Sequence, residues 1–127
     1  MKRILVDMSA TILHNGHIRL LEKASEFGLV VVALTTDVEI ELHKGYSPEL
    51  NFEQRKEILS AIKFVSEVVP SPWKIDPNFL KKHRIDLLVH GDDNVNEIPQ
   101  HQLLIFPRTI GVSSTQIRQR SAEIFRN

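Results

Sequence analysis

No cysteine occurs in the chain, so disulfide staples, thiolate nucleophiles and cysteine-ligated zinc are excluded from the outset. Net charge is absent too: sixteen Lys and Arg balance sixteen Asp and Glu. A surface that recruits nucleic acid through bulk positive charge is therefore not expected, which leaves room only for a local basic cleft suited to a small anion. Long hydrophobic runs are missing as well. The opening Met1-Lys2-Arg3 leads into Ile4-Leu5-Val6 and is cut by Asp7, too early for a signal peptide or a membrane span, so the reading is cytoplasmic with no membrane partner. What is present is ordinary: 127 residues, 42% hydrophobic and 25% charged, with no internal repeat, low-complexity tract or linker. That predicts one domain over residues 1–127 that buries roughly two-thirds of its unfolded surface in a single core.

The hydrophobic pattern alternates between two periods. Residues 3–7 read as a short buried strand, and Ile18, Leu20, Leu21, Ala24 and Phe27 fall at helical spacing over 17–27, with Gly28 as the expected C-cap. Residues 29–34, Leu-Val-Val-Val-Ala-Leu, form the continuous β-branched run of a parallel strand covered on both faces. A polar stretch over 35–49 precedes Asn51-Phe52-Glu53-Gln54, an Asn cap with Gln three residues on, which opens a helix to about 62. Residues 65–69 are a third strand stopped by Pro70-Ser71-Pro72. Asp76-Pro77 starts a short helix to about 83, residues 86–90 are a fourth strand and 103–106 a fifth, and Ser113 or Ser114 caps a last helix over 115–125. Strands alternating with helices predict an α/β fold, a doubly wound, Rossmann-like, mainly parallel five-stranded sheet with helices on both faces. Ligands of such sheets bind beyond the carboxyl ends of the strands, where strand order reverses.

The residues after the strands therefore carry the functional reading. After the first comes His14-Asn15-Gly16-His17 at a helix start, where free N–H groups, a glycine and two imidazoles suit a polyphosphate. A helix-capping histidine beside an ordinary surface one is the plainer alternative, and no neighbouring Asp, Glu or Cys completes a metal-ligand set. His90-Gly91-Asp92-Asp93 follows the fourth strand, either a turn or carboxylates for a ribose or a magnesium ion. Arg108-Thr109-Ile110-Gly111-Val112-Ser113-Ser114-Thr115 follows the fifth, a guanidinium and three hydroxyls at a helix start.

These motifs, with Phe52-Glu53-Gln54-Arg55-Lys56, resemble in order and spacing the cytidylyltransferase-type nucleotidyltransferases, most of all the bacterial branch acting on glycerol 3-phosphate. Met8-Ser9-Ala10 and His90-Gly91-Asp92-Asp93 are also similar to the nucleotidyltransferase domains attached to phosphoenolpyruvate mutases. The resemblance implies transfer of CMP from CTP to a small phosphate or phosphonate acceptor, with magnesium accompanying the triphosphate, in a homodimer. It implies that His14 and His17 contact the triphosphate and stabilise transition-state charge, assisted by Lys44 in a loop over the phosphates and by Arg108. Ser9, Ala10, Gly16, Asp93, Thr109, Ser113, Ser114 and Thr115 would complete the nucleotide site, and Lys44, Arg55 and Lys63 would serve the substrate. The chain departs from the family at Thr11, where an aspartate is usual, and lacks a lysine expected shortly after Trp73. Two alternatives accompany this reading: an adenylyltransferase of the same superfamily using ATP, and a nucleotide-binding module without turnover, which Thr11 would favour.

Overall fold

The structure is a computed structural model that describes residues 1–92, 94–107 and 112–125. Five strands form one sheet: β1 (Arg3–Met8), β2 (Leu29–Thr35), β3 (Glu67–Ser71), β4 (Leu87–Gly91) and β5 (Leu103–Phe106), in the order β3-β2-β1-β4-β5 and parallel throughout. Among the described residues, five α-helices connect or follow them: α1 (Asn15–Ser25), α2 (Asp37–Lys44), α3 (Phe52–Ser60), α4 (Pro77–Lys82) and α5 (Ser114–Phe125). The chain winds outward from β1 through β2 to β3, then returns to the other side of β1 for β4, so strand order reverses between β1 and β4.

Strand alternation sorts the core into two layers. Ile4, Val6, Val30, Val32 and Leu34 face Leu21 and Ala24 of α1 and Leu59 of α3. Leu5, Val31, Ala33 and Leu88 turn the other way, onto Leu80 of α4 and the flanking Ile75, Ile85 and Ile98. Both faces being covered explains why β1 and β2 read as unbroken apolar runs.

Four local expectations are revised. Helix α1 ends at Ser25 with Glu26 as its cap, so Gly28 is not the C-cap. Its role is close approach: a Cβ there would lie 2.2 Å from the Lys2 carbonyl oxygen, which accepts from the Leu29 N–H at 2.8 Å. Strand β3 continues through Pro70 rather than stopping before it, as an edge strand allows. The Thr36 N–H donates to Ser71 O at 3.2 Å, which turns Ser71 toward β2 and, by alternation, Pro70 toward the open side. The polar stretch contains α2, whose Val38 and Leu42 are exposed and whose Ile40 alone is buried, so no apolar stripe announced it. Finally, the last helix begins one residue earlier than expected, and Ser113 accepts from the Gln116 N–H at 3.1 Å, the hydrogen bond of an N-cap.

Candidate active site

A pocket of about 490 Å³ opens where strand order reverses, above the carboxyl ends of β1 and β4. His14, Gly16 and His17 at the start of α1 form one wall, and Lys44 at the end of α2 another. Ser113, Ser114 and Thr115 at the start of α5 close a third side, and Ser9 and Ala10 run along the floor.

The two histidines are arranged by their own helix. The Gly16 N–H donates to His14 Nδ1 at 3.0 Å and the His14 N–H donates to His17 Nδ1 at 3.1 Å, a reciprocal capping box made of two imidazoles. A backbone N–H can only donate, so each Nδ1 is an unprotonated acceptor and each ring carries its proton on Nε2. The rings lie 4.0 Å apart between centroids. Gly16 is required here, since a Cβ would fall 2.7 Å from His14 Cε1. Burial lowers the pKa of His14, and burial, reinforced by the nearby charges of His14 and Lys44, lowers that of His17 to about 4. Both are thus neutral donors at physiological pH, supplied with a helix N-terminus beside them. One histidine capping the helix while the other stands idle is not what the geometry shows.

Ala10 sits at φ 46, the left-handed region that a non-glycine residue enters only under constraint. The constraint is Arg55. Its Nη1 donates to Ser9 O at 2.6 Å and Thr35 O at 2.9 Å, its Nε to Leu50 O at 3.0 Å, and its Nη2 to Asp37 Oδ1 at 2.6 Å. With its side chain 1% exposed, Arg55 braces the turn from behind and is not among the residues lining the pocket. Lys63 lies between α3 and the amino end of β3, exposed and over the Phe64 ring, and is not brought to this pocket either. Lys44 reaches Ser9 Oγ at 3.3 Å. The Ser114 hydroxyl donates to Ile12 O at 2.8 Å, so it meets a ligand only as an acceptor. Asp93, Arg108 and Thr109 lie outside the described residues.

Sequence reasoning put His90 at the pocket but missed the partners it meets there. Asp7 ends the apolar run of β1 beside His90 of β4; its Oδ1 pairs with His90 Nδ1 and its Oδ2 accepts from Asn96 Nδ2 at 2.9 Å. The buried Asn96 is oriented in turn by the Ile75 N–H, which donates to its Oδ1 at 2.6 Å. All three line the pocket. Polar residues at the carboxyl ends of adjacent strands were the available signal. Among the described residues no group of three or more His, Cys, Asp or Glu is placed to hold a metal ion.

A family model described as cytidylyltransferase-like matches residues 9–120. The chain is 37% identical to the glycerol-3-phosphate cytidylyltransferase of Bacillus subtilis (strain 168), over 96% of this chain and 98% of that one. It is 35% identical to the enzyme of that name from Staphylococcus aureus, over 94% of each. It is 39% identical to the ethanolamine-phosphate cytidylyltransferase of Mus musculus, over 72% of this chain and 23% of that longer one. Among solved structures, the lipopolysaccharide core biosynthesis protein from Thermoplasma volcanium GSS1 superposes with a TM-score of 0.65 at 18% identity, over 98% of this chain and 88% of that chain, a likeness of fold. A near full-length family match and near full-length relatives, on a sheet whose switch point holds the paired histidines, establish that this chain belongs to the cytidylyltransferase-like family.

Proposed function

We propose that this chain is a nucleotidyltransferase that transfers the cytidylyl group of CTP to the phosphate of a small acceptor and releases pyrophosphate. The observation that carries the reading is the convergence on one pocket of two neutral Nε2–H imidazoles, the start of α5 and the Lys44 ammonium. An acceptor phosphate oxygen attacks the α-phosphorus of CTP, and the bond from that phosphorus to the oxygen bridging to the β-phosphate breaks. A phosphate monoester has a second pKa of about 6 and is mostly dianionic at neutral pH, so no strong base is needed. The protein positions the two anions and stabilises charge on the α-phosphate and the departing pyrophosphate, work suited to fixed donors rather than to proton transfer.

Magnesium enters as part of the substrate, MgCTP, since phosphate oxygens supply the hard ligands it prefers and the described residues offer no carboxylate cage. Glycerol 3-phosphate is the acceptor favoured by the near full-length relatives. An amino-alcohol phosphate is the second reading, favoured by the Asp7 carboxylate and Trp73 ring in the pocket wall together with the ethanolamine-phosphate relatives; a small phosphonate belongs to the same panel. Cytoplasmic residence and a homodimer form part of the proposal; among the described residues no helix is long and apolar enough to cross a membrane.

The test is pyrophosphate release with CTP or ATP, magnesium and each acceptor. Release is expected to require CTP and one acceptor, and to fall about a hundredfold or more in His14→Ala. Release with ATP alone would make the chain an adenylyltransferase, and CTP binding without release would make it a binding module.

A further inference from the structure

Helix α5 brings three hydroxyl residues to the pocket, yet among its described residues none is buried. Packing therefore does little to hold this wall in place. Among the described residues, polar tethers do so at two points. One is Ser114, bonded to Ile12 O. The other is Arg118, one turn further along.

Arg118 joins three segments. Its Nε donates to both Glu49 oxygens at 3.1 Å, and its Nη2 donates to the same two oxygens at 2.8 and 2.9 Å, the forked geometry of a strong guanidinium–carboxylate pair. The same Nη2 lies 3.1 Å from the hydroxyl of buried Thr11, in the β1–α1 turn. The Tyr46 ring lies under the guanidinium, 4.8 Å from Cζ. Glu49 and Tyr46 both belong to the loop between α2 and α3, the loop that begins immediately after Lys44. An isolated surface ion pair contributes little. This one differs because it ties an otherwise loosely packed helix to the loop bearing the pocket's lysine, with a buried hydroxyl as third partner.

We infer that Arg118 is a positioning residue which, by clasping Glu49, Tyr46 and Thr11, holds Lys44 over the phosphate end of the pocket and couples that loop to the serine-rich start of α5. The inference rests on the proposed nucleotide site but not on turnover. Lys44 already reaches Ser9 Oγ and lines the pocket together with the paired histidines and the start of α5, so the clasp fixes the ammonium among the other anion-binding groups. A clasp of this kind acts on triphosphate recognition and leaves the nucleoside end alone.

The test uses the full chain and calorimetric binding of MgCTP and of CMP to wild type, Arg118→Ala, Glu49→Ala, Lys44→Ala and the Lys44→Ala/Arg118→Ala double variant. Arg118→Ala and Glu49→Ala are each expected to weaken MgCTP about tenfold while leaving CMP within about twofold. In the Lys44→Ala background, Arg118→Ala is expected to cost nothing further, because its effect runs through Lys44. Equal losses for MgCTP and CMP, or additive losses in the double variant, would overturn the inference. Should Arg118→Ala unfold, Arg118→Lys replaces it: a loss confined to MgCTP supports the clasp, and wild-type affinity overturns it. A wild-type chain that binds MgCTP but releases no pyrophosphate refutes the transferase reading alone, and the clasp is still judged on the binding cycle.

Discussion

His17 can take a proton on Nδ1 only by giving up the His14 N–H it accepts from, in a setting where burial already disfavours the charge. With a folded pKa of about 4 against 6.5 unfolded, the unfolded chain binds the extra proton between those values. Stability therefore falls as pH drops from 6.5 toward 4 and levels off below, by roughly 3 kcal/mol from this group. Denaturant titrations across that range should show the slope. The His17→Gln protein should lose it, because Gln can close the same capping box without titrating. Arg55 offers a second case. Truncation to Ala leaves Ser9 O, Thr35 O and Leu50 O without their donor and Asp37 without its partner. A loss of about 3 kcal/mol or more is expected, readable as a fall in Tm of about 10 °C. The paired histidines were legible in the sequence because both sit in one βα turn, four residues including a glycine. The Asp7, His90 and Asn96 cluster was not, since its members come from segments more than 80 residues apart and meet only when β1 and β4 pair. The places of Arg55 and Lys63 were not legible for a related reason: a basic side chain reads alike whether it braces a turn, points away from the pocket or faces a ligand.

Among the elements, β1 and β2 were legible because a strand covered on both faces needs an apolar residue at nearly every position, and short β-branched runs rarely serve another purpose. Helix α2 was hidden because it buries Ile40 and little else, so periodicity had no stripe to register. Gly28 shows how an apparently clear signal can mislead. It follows the last periodic residues of α1 as a cap should, but its lack of a side chain serves the approach of β2 to Lys2. Gly28→Ala is therefore expected to destabilise by about 1–3 kcal/mol in thermal melts, since the added methyl meets backbone rather than a side chain that can swing away. A true αL cap position would produce a smaller loss through φ strain alone.

For the whole molecule, ligand linkage gives the most direct check on the pocket. At a hundred times its dissociation constant MgCTP should raise folding stability by about 2.7 kcal/mol, visible as a Tm increase that tracks nucleotide concentration, and His14→Ala should need more nucleotide for the same shift. Charge neutrality adds a colloidal expectation, since sixteen charges of each sign leave little repulsion between molecules at pH 7. How such molecules meet depends on the sheet's rims. Pro70 stands in the outermost strand with its ring nitrogen on the open side, where any incoming strand would look for an N–H, and the opposite rim, β5, is only four residues long. A chain arriving there finds a broken template. Crowded solutions of this protein should thus cloud and clear reversibly through side-chain contacts, while growth into fibrils by strand-upon-strand recruitment is denied its first step.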